Sequence, residues 1–306
     1  MRYIIAPVLA TLMTTQALAE VPNVVADIPP VHALVAQVMG DLGAPILILE
    51  RGASEHDFQL RPSQAAALAD ADLVVWVGPE STPWLDRALD SFGRNGARLG
   101  LLAADGTDRR SYITDDHEDH ADEAENAEDG HDHDAEGTDP HAWLDPSNAK
   151  VWLGLIATEL STLDPENAAT YAANATKASD GIDALDRRVA SLLTPAQDKT
   201  LVMFHDAYGY FAAHYGLTLG GSVAVGDASA PGAQRLFELQ AALAGTACIY
   251  PEAQHDDALI TQLATGTDVR IGSPLDPNGS MLEPGPELYA TLMTTLASTI
   301  ADCLTR

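Results

Sequence analysis

Residues 164–193 read DPENAATYAANATKASDGIDALDRRVASLL and separate two halves of the chain that have similar organisation. Apolar residues recur along this stretch at helical spacing, and a proline at position 195 ends it. The repeating positions are Ala168, Tyr171, Ala175, Ile182, Leu185, Val189 and Leu192. A helix of about 28 residues is on the order of 40 Å long. The stretch therefore predicts a rigid rod that joins two lobes, with one long core helix as the competing interpretation.

Both halves alternate short apolar strands with amphipathic helices. Alternation of this kind predicts an α/β fold, in which a mainly parallel sheet is covered by helices on both faces. The predicted strands cover residues 23–27, 44–49, 73–77, 199–204, 217–225, 248–250 and 269–272. We therefore expect an N-terminal lobe over residues 20–163, a linker helix over 164–194 and a C-terminal lobe over 195–306.

The charge balance restricts the possible partners. The 306 residues include 45 acids and 16 bases, which gives a formal net charge of −29. Nucleic acid is excluded as a partner because its binding requires a basic surface that displaces counterions. An acidic surface instead favours cations.

The first 19 residues have the composition of a secretory signal peptide. Arg2 precedes a short apolar stretch over residues 4–15, and Ala17-Leu18-Ala19 forms a small-x-small cleavage site. The alternative is an N-terminal core helix or a membrane anchor, although the apolar stretch is shorter than the roughly 20 residues that a membrane span needs. We expect cleavage after Ala19 and a soluble, exported protein that starts at Glu20.

The chain contains two cysteines, Cys248 and Cys303. An even pair in an exported protein suggests a disulfide. Such a bond would connect the strand around Cys248 to the closing helix. Two buried thiols are the alternative.

Residues 115–137 interrupt the alternation with a run of acids and histidines. The segment has almost no apolar residues beyond alanine, so we expect it to be disordered. Histidines interleaved with carboxylates are typical of weak binding of divalent metal. The expected metal contacts are shared among His117, His120, His131 and His133 rather than forming one defined site.

Three other histidines lie where a functional site is expected. His141 lies in residues 139–146, DPHAWLDP, where two Asp-Pro steps stiffen a non-helical loop. His56 follows the second predicted strand, and His205 follows the strand over 199–204. Ligands of parallel α/β sheets bind at the carboxyl ends of strands.

Three imidazoles favour zinc or another late first-row metal over calcium or magnesium. They leave one tetrahedral position, for which water, Glu55 and Asp276 are the candidates. Glu252 is a candidate to orient a ligand imidazole, as metal-bound histidines usually require. A secreted zinc hydrolase is an alternative. However, the sequence has no His-Glu-x-x-His motif and shows no general base beside the triad.

Four motifs resemble the periplasmic solute-binding proteins of ABC transporters for zinc and manganese (cluster A-I), and in particular the zinc-uptake type. They are residues 54–58 (SEHDF), 139–146 (DPHAWLDP), 204–208 (FHDAY) and 275–277 (LDP). The resemblance extends over essentially the whole mature chain. It departs from some relatives at Asn278, which follows the Asp-Pro step.

The resemblance implies two α/β lobes joined by one long helix, with the transported metal held between them. The family's ligand positions correspond to His56, His141 and His205, and the late cysteines form a disulfide in the zinc-uptake type. Manganese binders carry a glutamate at the position of His205, so the histidine favours Zn(II) over manganese. We therefore expect a monomeric periplasmic protein, not an enzyme, that delivers Zn(II) to an ABC permease. Manganese binding stays open as the alternative within the family.

Overall fold

The computed structural model describes residues 21–56, 58–92, 96–112, 137–224 and 233–305. It has two parallel four-stranded sheets, each surrounded by helices, which confirms the predicted α/β fold. The predicted signal peptide and residues 115–136 of the acidic loop lie outside the described residues. Within the described residues, no helix combines the length and the hydrophobicity needed to cross a membrane.

The N-terminal lobe begins with a βαβ alternation. Its elements are β1 (Val24–Ala26), α1 (Pro29–Met39), β2 (Ile46–Leu47), α2 (Pro62–Ala69), β3 (Leu73–Trp76), α3 (Pro83–Ser91) and β4 (Ala97–Gly100). Strand β4 was not predicted, because Arg98 and Gly100 give this stretch little strand character. A short antiparallel pair follows, β5 (Arg110–Ser111) with β6 (Thr138–Asp139), and helix α4 covers Pro146–Leu163.

A 25-residue helix, α5 (Ala168–Leu192), connects the two lobes. It begins later than predicted because residues Pro165–Asn167 form a separate 3-10 turn. One face is buried through Tyr171, Ile182 and Val189, and the helix packs against α1 and α4. It is thus both the connection between the lobes and part of the core.

The C-terminal lobe repeats the alternation. Its elements are β7 (Thr200–His205), α6 (Gly209–Tyr215), β8 (Thr218–Ala224), α7 (Ala233–Ala242), β9 (Thr246–Ile249), α8 (Ala258–Ala264), β10 (Arg270–Ile271) and α9 (Leu288–Thr305). Helix α9, the last element of the chain, packs against α5 and against α1 of the first lobe. The Cys248–Cys303 disulfide, as predicted, connects β9 to α9.

The two sheets have the same strand order. The first runs β2-β1-β3-β4, and the second, read from its other edge, runs β8-β7-β9-β10. In each lobe the second, first, third and fourth strands are therefore adjacent in that order. This order places a topological switch point at the carboxyl ends of β1 and β7, where α/β proteins bind ligands.

Candidate metal centre

His205 is the last residue of β7, the first strand of its sheet. The strand is inside the sheet, between β8 and β9, and its residues Leu201, Val202 and Met203 are buried. The rigid strand end holds the imidazole of His205 at the switch point, where only 6% of the residue is exposed.

His141 lies at the start of a 3-10 turn over Ala142–Leu144. The prolines on both sides keep the segment out of an α-helix, as predicted, until Asp145 caps α4 by accepting a hydrogen bond from the Ser147 amide. The residue is completely buried. The segment is fixed to the second lobe because the Trp143 indole donates to the carbonyl of Pro277, at 2.9 Å.

His56 lies in the loop after β2, with 11% of its side chain exposed. Two contacts made by the preceding residue hold this loop. The Trp84 indole donates to the Glu55 carbonyl at 2.7 Å, and the Asn278 amide donates to the Glu55 carboxylate. Because Asn278 belongs to the second lobe, its contact with Glu55 connects the two lobes beside the histidine.

The structure brings the three predicted histidines together. One ring nitrogen of each lies within 4.8 Å of the others, and among the described residues this is the one such cluster of three or more potential metal ligands. The ring centroids of His56, His141 and His205 are 5.1 to 6.2 Å apart. The Nε2 atoms of His141 and His205 are separated by 3.3 Å. Residues 85 and 64 positions apart in sequence thus form one compact nitrogen cluster.

Burial changes the pKa values of two groups at the cluster in ways that suit the binding of a cation. Burial, together with the neighbouring imidazoles of His205 and His56, lowers the pKa of His141 well below its ordinary value. His141 is therefore neutral at physiological pH, as a metal ligand must be. Burial raises the pKa of Glu55 to about 7. A cation placed between the rings would favour the ionised form of this carboxyl group.

The two carboxylates predicted as candidates for the fourth position differ in their surroundings. The Glu55 Oε1 atom lies 3.7 Å from Nε2 of His56. The Asp276 carboxylate instead accepts hydrogen bonds from the amides of Ser280 and Met281 and from the Gln254 side chain. Asp276 is also outside the cluster of nitrogen atoms.

Two carboxylates lie within hydrogen-bond distance of histidines of the cluster. Glu252 accepts from Nδ1 of His205 at 2.5 Å, as predicted, and Asp139 lies 2.7 Å from Nδ1 of His141. The role of Asp139 was not predicted, although its position two residues before His141 was a local signal. Asn278 was noted in the sequence only as a departure from relatives, and no sequence signal pairs it with Glu55.

Four predicted weak metal contacts belong to the acidic loop. His117, His120, His131 and His133 fall outside the described residues. The ends of their loop are described, and they pair as β5 and β6. The loop therefore leaves and returns directly beside Asp139.

Two α/β lobes joined by a long helix, with a cluster of histidines between them, are the arrangement of the bilobal solute-binding proteins. A family model for the zinc-uptake complex component A, periplasmic, matches residues 24–303. The chain belongs to this family.

Comparison with known proteins agrees with this assignment. A high-affinity zinc uptake system protein from Paracoccus denitrificans (strain Pd 1222) is 51% identical, with 97% of each chain covered. A protein of the same name from Brucella suis biovar 1 (strain 1330) is 35% identical, over 94% of this chain and 93% of the relative. A crystal structure of ZnuA superposes with a TM-score of 0.74 at 22% identity, covering 93% of this chain and 99% of that one. This superposition supports the fold.

Proposed function

We propose that this protein is the periplasmic zinc-binding component of a zinc-import ABC transporter. It takes up Zn(II) in the cleft between its lobes and delivers the ion to a membrane permease. The observation that carries the proposal is the convergence of His56, His141 and His205, which come from both lobes, on one point. Membership in the zinc-uptake family and the names of the relatives support the same function.

The donor set favours zinc over manganese. Imidazole nitrogen suits zinc, whereas manganese prefers carboxylate and other oxygen ligands. Asp139 and Glu252, which contact the Nδ1 atoms of His141 and His205, lie on the side of these rings away from the cluster. Glu55 provides a carboxylate near His56, at 3.7 Å from its Nε2 atom. For the fourth position, the 3.7 Å separation of Glu55 from His56 supports Glu55 or a water molecule rather than Asp276.

The acidic loop has a separate role in this proposal. His117, His120, His131 and His133 bind zinc weakly and raise its local concentration beside the cleft. A tether provides such an effective concentration without a high intrinsic affinity. The pairing of Arg110 with Asp139 at the base of the loop supports this role, because it anchors the loop two residues from His141.

The direct test is the metal content of protein purified without added metal. We expect zinc in the wild-type protein and in a variant that lacks residues 115–136, and none in His141→Ala. His255→Ala is the matched control, because His255 is an exposed histidine that stacks on Phe204, next to His205, outside the ligand cluster. Manganese in the wild-type protein, or zinc retained by His141→Ala, would contradict the proposal.

A further inference from the structure

In two of the three proposed ligands, the ring nitrogen that faces away from the cluster contacts a buried carboxylate. Asp139 Oδ1 is 2.7 Å from Nδ1 of His141, and Glu252 Oε2 is 2.5 Å from Nδ1 of His205. Asp139 is 1% exposed and Glu252 is 5% exposed. Each carboxylate belongs to the same lobe as the histidine that it contacts.

A carboxylate at Nδ1 determines the tautomer of the ring. The ionised carboxylate only accepts hydrogen bonds, so Nδ1 of a neutral imidazole must carry the proton and Nε2 must carry the lone pair. In this structure both Nε2 atoms face the interior of the cluster, 3.3 Å apart. When Nδ1 carries the proton on both rings, two Nε2 lone pairs meet at that distance and repel each other, and a cation between them would remove the repulsion.

Both carboxylates are themselves held in place by the fold. Asp139 Oδ1 also accepts from the His141 amide at 2.9 Å. The backbone of Asp139, in β6, pairs with Arg110 of β5, and the Asp139 carbonyl accepts from the Tyr210 hydroxyl of α6 at 3.0 Å. At Gly209 a β-carbon would lie 2.9 Å from Asp139 Oδ2, so the glycine leaves room for this carboxylate.

Glu252 is fixed by the second sheet. It follows β9 and forms a parallel bridge with Leu275, and the next amide, that of Ala253, donates to the Leu275 carbonyl at 2.8 Å. The two carboxylates therefore sit on opposite lobes, each attached to backbone that hydrogen bonding keeps rigid.

We propose that Asp139 and Glu252 are the positioning residues of the zinc site. They hold His141 and His205 in the Nδ1–H tautomer, so that both Nε2 lone pairs are ready for the metal. This inference rests on the proposed function and extends it to residues that do not touch the metal.

The test compares removal of the charge with removal of the acceptor. In Asp139→Asn and Glu252→Gln the side-chain oxygen can still accept the Nδ1–H, whereas in Asp139→Ala and Glu252→Ala it is absent. Loss of such an outer partner typically weakens metal binding about 10- to 100-fold. We expect the amide variants near the lower end of this range and the alanine variants near the upper end, measured by competition with a zinc chelator.

A second readout reports the tautomer itself. Nitrogen-15 NMR of the metal-free wild-type protein should show the Nδ1–H form for His141 and His205. The amide variants should retain that form, and each alanine variant should lose it at its own histidine. The absorption spectrum of the cobalt(II)-loaded protein should change in the alanine variants more than in the amide variants. Glu283→Gln is the control, because it removes an exposed carboxylate that pairs with Arg51 and not with a histidine. Its zinc affinity should match that of the wild-type protein.

Failure of this inference can be separated from failure of the proposed function. Tight zinc binding in the wild-type protein, combined with an Nε2–H tautomer at both histidines or with unchanged affinity in all four variants, would overturn the inference and leave the function intact. A wild-type protein that does not bind zinc would overturn both. The wild-type NMR measurement does not depend on the folding of any variant.

Discussion

The first strands of the two sheets occupy the same place in the strand order but end in different side chains. In the C-terminal lobe β7 ends at His205, whose Nε2 faces Nε2 of His141. In the N-terminal lobe β1 is followed by Asp27, whose carboxylate accepts from the amides of Ile28 and Val77 at 2.8 and 2.9 Å. The same topological position thus presents a proposed metal ligand in one lobe and fixes the backbone in the other.

This difference explains why the proposed ligands of the N-terminal lobe come from loops and not from the end of its first strand. Because Asp27 is fully buried and bound to main-chain amides, the switch point of that lobe is already filled. Its two proposed ligands, His56 and His141, come from loops that are held by contacts with the second lobe. The position of His205 is therefore set by its strand, and those of His56 and His141 depend on how the lobes pack together.

The largest effect is expected from the ligand at the strand end. His205→Ala removes one of three imidazoles and leaves Glu252 without its histidine. Zinc affinity, measured by chelator competition, should fall by more than the roughly 100-fold that loss of an outer partner can cost. His255→Ala should show wild-type affinity. A loss of less than about 10-fold in His205→Ala would show that this strand end does not contribute a ligand.

The next effect concerns the covalent link of the second lobe. The disulfide between Cys248 and Cys303 spans 55 residues, and the chain-entropy estimate for a loop of this size is about 4 kcal/mol. Replacement of both cysteines by alanine should lower the free energy of unfolding in urea by about this amount. The reduced wild-type protein provides the control and should behave like the variant. Equal stability of the oxidised and reduced forms would contradict the prediction.

A smaller effect is expected at Asp27. Asp27→Asn replaces one of two accepting oxygens by a donor and leaves a buried amide unpaired, which costs about 1–3 kcal/mol of unfolding free energy. Zinc affinity should be unchanged, in contrast to His205→Ala. A loss of zinc binding with unchanged stability would place Asp27 among the ligands and remove the contrast between the lobes.

The pH dependence of stability tests the same residue. Burial raises the pKa of Asp27 from its ordinary value of 3.8 to about 7, so the folded state binds its proton more tightly than the unfolded state does. The stability associated with this proton is present below about pH 4 and is lost as the pH rises to about 7. Asparagine does not titrate, so the stability difference between wild type and Asp27→Asn should shrink over this range. A constant difference from pH 4 to 7 would contradict this account.

The smallest effect on stability is expected from His214 of α6. Its imidazole contacts two carboxylates outside the C-terminal lobe. Its Nδ1 is 2.9 Å from Asp145, and its Nε2 is 3.0 Å from Asp186 of α5. The Asp145 carboxylate, and after it Asp186, raises the pKa of His214 against the effect of burial. The hydroxyls of Tyr215 and Tyr289 also lie near these carboxylates and stay neutral, because burial raises their pKa above the ordinary value.

Because the pKa of His214 is raised in the folded state, its contribution is complete below the ordinary value of 6.5 and is lost as the pH rises through the folded-state pKa. The wild-type protein should therefore be more stable than His214→Gln at pH 6. This difference in unfolding free energy should shrink by no more than about 1 kcal/mol between pH 6 and pH 9. An advantage that grows with pH would show that the histidine is neutral in the fold.

The sequence predicted the α/β fold class, which the structure confirms. It also singled out three histidines, which the structure brings together, and the family resemblance made them candidate ligands. Apolar strand runs separated by helices predicted parallel sheets, and such sheets place functional groups at strand ends, which identified His56 and His205. The Asp-Pro steps marked His141. These signals are local, so they can be read along the chain.

Contacts between distant residues could not be predicted from the sequence. The amide of Asn278 reaches Glu55 across 223 positions, and Val77 donates to Asp27 across 50. Asp139 looked like part of a stiff turn, because its pairing with Arg110 depends on strands separated by the acidic loop. Strand β4 was missed because its position in the sheet, rather than its composition, makes it a strand.

The most direct test of the central claim is the zinc K-edge X-ray absorption spectrum of the one-to-one zinc complex of the variant that lacks residues 115–136. Removal of the loop histidines ensures that the signal comes from the cleft. We predict a first shell with three imidazole nitrogens at about 2.0–2.1 Å and one oxygen. A first shell with fewer than three imidazoles would contradict the proposal that His56, His141 and His205 bind one ion together.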